Sequence, residues 1–476
     1  MNRRYFMRTL SLLSLAAAPL RFPEGIGNQP APSFQKQITQ RPPLDKRRFV
    51  SEAIEEVIVS TKNKITRPEL ATLFANCFPN TLDTTVFTGM RGNKRDTFVI
   101  TGDIHAMWLR DSSAQVFPYL PYIVKDTKLK DLILGVIHRQ NYCITIDPYA
   151  NAFNYASEGS YWEKDFTTMR PELHERKWEI DSLCYPVRLS FNYYKISRDT
   201  SFMDAEWFEA MKLIYQTFRE QQRITNLGPY RFQRNTTRQT DTLNLDGFGM
   251  PTKKIGLIHS MFRPSDDACQ YPFLIPANYF AMISLREMAE MLNVYGKNSE
   301  LSRKCGDFAD ELQDTLNIYG KAIHNELGEL IPYEIDGFGN AYFTDDSNVP
   351  NIISLPYLNA MSVENDLYKK TRRFILSESN PFFNKGSYCA GVGSPHTPIG
   401  FVWHLSLIMQ GLTSVDDTEI ATVLKQLTST HAETGFMHES FDPSNPENFT
   451  RPWFAWANTL FGEFVLKVAE QRPHLL

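Results

Sequence analysis

The chain has 476 residues and a formal net charge of −4; 42% of it is hydrophobic, 22% charged and 13% aromatic. That balance excludes an intrinsically disordered chain, which would need fewer apolar residues and a larger net charge. It also lacks the basic footprint of a nucleic-acid binder, so no nucleic-acid partner is expected.

At the N-terminus, Arg3, Arg4 and Arg8 flank or precede an apolar run from Leu10 to Leu20. A charged start before a short apolar stretch is the pattern of a signal peptide, too short to span a bilayer. The pair Arg3-Arg4 before Tyr5-Phe6 resembles a twin-arginine export signal. The expected organisation is a signal over residues 1–25, a Pro/Gln-rich leader over 26–44 and one folded domain over 45–476. The protein would then be exported, to the periplasm or the medium. An amphipathic start to the first helix is the competing reading of the same segment. No later run is apolar enough to cross a membrane, and the sequence is silent on oligomeric state.

After Pro43 the apolar residues recur at helical spacing. LDKRRFVSEAIEEVIVSTKN is followed by RPELATLFANCF, then DSSAQVFPYLPYIV by KLKDLILGVIHRQNYC, and DSLCYPVRLSFNYYKI by AEWFEAMKLIYQTFREQQ. Farther on come CQYPFLIPANYFAMISLREMAEML with SELSRKCGDFADELQDTLNIY, ISLPYLNAMS with NDLYKKTRRFILS, and IGFVWHLSLIMQGL with DTEIATVLKQLTST; WFAWANTLFGEFVLKVAEQ closes the series. These amount to about a dozen helices in consecutive pairs. One member of each pair is apolar and aromatic, and the other is more charged. Buried inner helices inside a ring of amphipathic outer ones give that asymmetry. The predicted fold is therefore all-α, an (α/α)6 barrel, with short strand-like pieces such as TFVITGDI and ELIPYEIDGFGNAYF in its loops. A solenoid of helix pairs is the alternative, but it would have loops of similar length. The loops before Asp111, Asp181 and Asp266 are long and polar instead.

Cys77, Cys143, Cys184, Cys269, Cys305 and Cys389 are widely spaced, without a CxxC or a zinc-ligand spacing, and read as free thiols in apolar surroundings. Asp345-Asp346-Ser347-Asn348 lacks the spacing of a calcium loop and reads as a turn. Gly391 and Gly393 form a lone GxG with no phosphate-loop context, and no HExxH is present.

Polar, charged and aromatic residues crowd four segments at helix starts. TGDIHAMWLRDSSAQ holds Asp103, Trp108, Arg110 and Asp111, and IDPYANAFN holds Asn151. SMFRPSDDACQYPFLIPAN holds Arg263, Asp266 and Asp267, and TGFMHESFDPSNPENFTRPWFAWAN holds His438, Glu439, Arg451 and Trp453. The shorter GVGSPHTP holds His396. Taken singly, Ser265, Asp266 and Asp111 are explained as helix caps, and Glu439 as a surface loop glutamate. Taken together, they suit glycosidic hydrolysis, which needs one protonated carboxyl to donate to the leaving oxygen and one ionised carboxylate to activate water. An apolar wall raises a carboxyl pKa and suits the acid; Asp266, followed by Cys269, Tyr271 and Phe273, is expected in such a place.

TGDIHAMWLRDS, IDPYANAFN, RKWEIDSLCYPVRL, FRPSDDACQYPFLIPAN, DDSNVPNIISLPYL, GSPHTP and GFMHESF with FTRPWFAWANTLF resemble the signature segments of glycoside hydrolase family 125, in order, from about residue 67 onward. The resemblance implies an (α/α)6 barrel, exo-acting α-1,6-mannosidase activity on an α-mannoside oligosaccharide or glycan, and inversion with no metal ion and no cofactor. It implies Asp266 as general acid and Glu439 as general base. Asp103, Trp108, Arg110, Asp111, Asn151, Arg263, Asp267, His396, His438, Arg451 and Trp453 are the expected substrate-binding residues. Inversion calls for roughly 6.5–9.5 Å between the two carboxyl groups, since water must fit beside the sugar. The rival readings are another hydrolase on this barrel, of glucoamylase or trehalase type, a glycan-binding protein without turnover, and a metal-dependent mannosidase.

Overall fold

The computed structural model describes residues 39–296 and 299–476. The signal and most of the leader expected at the N-terminus lie outside the described residues. Thr39–Leu476 forms one compact unit. Its first residues are anchored: Arg41 pairs with Glu55 at 2.6 Å and with Asp83 at 2.7 Å.

Thirteen α-helices lie among the described residues. They are α1 (Glu52–Lys62), α2 (Pro68–Cys77), α3 (Asn80–Thr84), α4 (Leu109–Val116), α5 (Thr127–Ile146), α6 (Ile180–Ser197), α7 (Ala205–Gln221), α8 (Ile275–Tyr295), α9 (Ser299–Tyr319), α10 (Asp366–Ile375), α11 (His404–Leu412), α12 (Asp417–Ser429) and α13 (Ala455–Gln471). Helices α4, α6, α8, α11 and α13 form the inner wall. Every residue of α4 is buried, and so is all of α11 except Gln410. The outer helices bury a single stripe, as in α9, where Leu301, Cys305, Phe308, Ala309, Leu312 and Leu316 face inward. Around the ring α4 packs on α6, α6 on α8, and α11 on α13, which returns to α4. The result is a toroid of helical hairpins, the predicted (α/α)6 architecture.

The sixth inner position corrects one expected helix. Residues 351–361, which take in all but the last residue of the ISLPYLNAMS stretch (353–362), form a succession of turns and bends. The Asp345 carboxylate accepts the backbone N–H groups of Ile352 (2.9 Å) and Ile353 (3.2 Å), and Pro356 removes a donor that a helix would use. Tyr185 and Tyr368 tie this arc to its neighbours by donating to the Val349 and Ile353 carbonyls. The DDSN segment read as a turn thus also serves as the anchor of a wall.

Inner and outer helices begin differently, and the difference positions the site. Outer helices have polar caps: Ser51, Asp126, Asp204, Asn365 and Asp416 each accept a first-turn N–H. The inner helices start at Trp108, Glu179, Leu274, Trp403 and Phe454, none of which caps with its side chain. Loop groups satisfy their first donors instead: Leu109 N–H reaches Asn151 O, Ile180 N–H reaches Ser260 Oγ, and Ile275 N–H reaches Tyr333 O. Three of these helices continue directly from a strand of a small three-stranded sheet: Met107–Trp108, Phe273–Leu274 and Val402–Trp403. Asp266 lies well before α8 and Asp111 within the first turn of α4, so neither acts as a cap.

All six cysteines are free thiols; Cys269 is half-buried and the other five are buried. Among the described residues no helix is long and apolar enough to cross a membrane.

Candidate active site

The sheets bring the long loops together over the N-terminal ends of the inner helices, around a cavity with about 520 Å³ of empty space, its open mouth included. Trp108, Arg110 and Asp111 enter it from the start of α4, Trp403 from the start of α11, and Phe454 and Trp456 from the start of α13. Asp266 arrives on the loop before α8. Glu439 arrives on the residue before the strand Ser440–Asp442, and His396, Asn348 and Arg451 complete the polar wall.

Asp266 has a left-handed backbone (φ 66°) in a tight turn closed by Arg263 N–H to Asp267 O at 2.7 Å. Its Oδ1 accepts from Arg110 Nη2 and Asn151 Nδ2, both at 3.3 Å. Burial pushes the Asp266 carboxyl up, but Arg110, the nearby Glu179 carboxyl, Lys177 and His396 outweigh it and hold the group well below the usual carboxylate range. The apolar wall expected to raise its pKa is therefore overridden by a guanidinium from the first turn of α4.

Glu439 is fixed by its own hairpin: Thr450 Oγ1 donates to Oε2 at 3.0 Å and Arg451 Nη1 to Oε1 at 3.5 Å. Arg451 also pairs with Asp103 at the rim. Asp111 forms a 3.3 Å ion pair with Arg110 Nε, yet its buried Oδ2 has no hydrogen-bond partner. Burial raises the Asp111 carboxyl, opposed by Arg110. Trp108 Nε1, Asn348 Nδ2, His396 Nδ1, Arg451 Nε and Thr101 Oγ1 are likewise buried without partners. Buried polar atoms are nearly always paired, so their concentration around one cavity marks a surface that a polar ligand completes.

Of the expected site residues, Trp108, Arg110, Asp111, Asp266, His396, Glu439 and Arg451 line the cavity. The others stand around it. Asp103 sits on the rim. Asn151 lies behind Asp266, bonded to Glu175 at 3.0 Å. Asp267 pairs with Arg238 at 3.1 Å and faces His396 at 3.5 Å. Trp453 packs over Gly102, where an added Cβ would meet its ring at 3.2 Å. Arg263 turns away into a buried 2.6 Å pair with Glu334. His438 stacks on Phe449 with ring centroids 4.0 Å apart, and burial lowers its pKa to about 4. Sequence reasoning missed Asn348, Trp403, Phe454 and Trp456, and it missed Glu179, which stands behind Arg110. Trp403 and Trp456 were hidden as core aromatics of apolar helices.

A cavity of this kind, walled by carboxylates and indoles at the inner-helix starts of a helical toroid, marks the chain as a glycoside hydrolase. It belongs to the metal-independent α-mannosidases of glycoside hydrolase family 125, whose sequence profile matches residues 67–466. A Streptococcus pneumoniae α-mannosidase, solved in a non-productive complex with α-1,6-mannobiose, is 39% identical and superposes with a TM-score of 0.86 over 89% of this chain and 100% of its own. The meiotically up-regulated gene 157 protein of Schizosaccharomyces pombe is 40% identical over 456 residues, 92% of this chain and 89% of the yeast protein. A bacterial glucoamylase complexed with acarbose shares the fold alone, at 10% identity and a TM-score of 0.52 over 87% of this chain and 57% of its own.

Proposed function

We propose that the protein is an inverting exo-α-1,6-mannosidase that removes the terminal non-reducing mannose of a glycan. The observation that carries this reading is that Asp266 and Glu439, delivered by two loops far apart in sequence, line the same cavity. Asp266 protonates the glycosidic oxygen, and Glu439 takes a proton from the water that attacks C1 from the other face. Unpartnered Asp111 Oδ2 and Asn348 Nδ2 bind sugar hydroxyls, and Trp108 and Trp403 pack on the ring. Support for the α-1,6 linkage comes from the mannobiose bound by the S. pneumoniae relative. Export through the Arg3-Arg4 signal would put the enzyme where glycans are met.

Proton NMR of α-1,6-mannobiose during hydrolysis tests the reading. β-Mannose as the first product supports inversion, the linkage and the acid–base pair. α-Mannose first would mean retention and would end the assignment of Glu439 as a base acting through water. No turnover would reject the linkage.

A further inference from the structure

The acid of this reaction must carry a proton when the glycosidic bond breaks, yet Arg110 favours the ionised form of Asp266. The proton therefore has to be held close by. Arg110 is a single guanidinium facing four carboxyl groups. Its Nη1 donates to Glu179 Oε2 at 2.6 Å and to Asp181 Oδ2 at 3.3 Å, its Nη2 donates to Asp266 Oδ1 at 3.3 Å, and its Nε lies 3.3 Å from Asp111 Oδ2. One positive charge cannot neutralise four carboxylates, three of them buried, which favours a proton on one of them.

The geometry points to Glu179. It is fully buried, at 0% side-chain exposure, whereas Asp266 is 21% exposed at the cavity. Glu179 Oε2 is saturated by Arg110 and by Ser182 Oγ, which donates at 2.9 Å. Glu179 Oε1 is buried with no donor to accept from. The Asp266 carboxylate, itself an acceptor, is held by the other terminal nitrogen of the same guanidinium. Two carboxyl groups that share one guanidinium repel each other when both are ionised, which favours a proton on the more buried of them. Burial raises the Glu179 carboxyl far above its usual range against the pull of Arg110, with Asp266 and Asp181 adding to the rise. Asp181 is itself pushed up to about 6, chiefly by burial. The remaining charged or titratable groups facing the pair are Lys177, whose Nζ donates to Asp266 O at 2.9 Å, His396 on the cavity side, His174, and Cys269 and Tyr230 behind.

We propose that the acid is a two-carboxyl unit, in which Glu179 holds the proton in the resting enzyme and Asp266 alone delivers it to substrate. The proton on Glu179 Oε1 moves to the Asp266 carboxyl, and from Asp266 to the glycosidic oxygen as the C1–O bond breaks and its electron pair goes to that oxygen. Glu179 is left as a carboxylate held by Arg110 and Ser182. Water adds to C1 and gives its proton to Glu439. After the products leave, solvent returns a proton through Asp266 to Glu179, and Glu439 releases its own. Glu179 never meets substrate; it is a positioning residue that sets the protonation of the group that does.

This inference rests on Asp266 being the acid, and its test separates the two. Asp266→Asn, Glu179→Gln and Ser182→Ala are compared on α-1,6-mannobiose, whose alkoxide leaving group needs a proton, and on 2,4-dinitrophenyl α-mannoside, whose leaving group does not. Glu179→Gln should lower kcat/KM on mannobiose about a hundredfold and on the dinitrophenyl substrate by no more than about fivefold. Its alkaline limb should move to lower pH, because Asp266 must then take up its proton unaided. Ser182→Ala should move that limb to higher pH, because the Glu179 anion loses a donor. Equal losses of Glu179→Gln on both substrates, or an unmoved limb, overturn the proposal. If Asp266→Asn itself loses both substrates equally, the acid assignment fails. If Asp266→Asn discriminates between them and Glu179→Gln does not, only the role of Glu179 fails. Should Glu179→Gln not fold, the direction of the Ser182→Ala shift decides.

Discussion

The hydroxyl of Thr450 donates a 3.0 Å hydrogen bond to Oε2 of Glu439, across the first pair of the hairpin that carries both residues. The strand pairing Ser440↔Thr450 thus aims the proposed base. A bond to an ionised group is worth about 1.5–3 kcal/mol, so its loss should be felt in the reaction. Thr450→Val keeps the shape and removes the donor. It should lower kcat by about tenfold or more with KM nearly unchanged, measured on α-1,6-mannobiose. A rise in KM with kcat intact would mean that Thr450 serves binding instead.

Asp111 offers a contrast between function and stability. Its Oδ2 is buried without a hydrogen bond, a state that costs folding free energy and persists where a ligand supplies the partner. Asp111→Asn should lower kcat/KM on mannobiose by about ten- to a hundredfold while leaving the melting temperature unchanged or higher. A melting temperature several degrees lower with kinetics intact would make the residue structural.

The architecture was legible because each pair of helices writes its burial into its composition. The buried α11 and the striped α9 differ as inner and outer helices should. The turn arc at residues 351–361 was not legible, because what overrides its helical spacing is a buried carboxylate on Asp345, a contact that periodicity does not encode. The same limit applies at the site. Crowded loop residues pointed to Asp266 and Glu439, and both line the cavity, but neighbours in sequence are not neighbours in the cavity. Arg263 is three residues before Asp266 and points to Glu334, and His438 precedes Glu439 and stacks on Phe449. The charge state of Asp266 depends on Arg110, Glu179 and Lys177, which no local pattern links to it.

The inner wall leaves no room where α11 and α13 meet. A Cβ added at Gly411 would strike the Phe464 ring. Overpacking a core typically costs about 1–3 kcal/mol. Gly411→Ala should therefore lower the denaturation midpoint, and Gly411→Ala with Phe464→Leu should recover part of the loss. Equal stability of Gly411→Ala and the parent would show that the two helices separate freely.

Glu287 carries a stability cost tied to pH. It lies on α8, nearly buried, and its Oε2 has no hydrogen-bond partner. Burial pushes its carboxyl up to about 8, with Arg188 only partly opposing and Glu290 adding to the rise. The unfolded chain releases this proton near the ordinary glutamate range, while the folded chain keeps it until about pH 8. Over that interval the folded state binds more protons, so rising pH favours unfolding, and the effect levels off once both states are ionised. Glu287→Gln removes the titration and keeps the shape. It should match the parent near pH 4 and exceed it by on the order of 4 kcal/mol near pH 8, read from denaturant midpoints across pH. A difference that stays constant with pH would mean that Glu287 is already ionised in the folded protein, stabilised by Arg188 from the neighbouring inner helix.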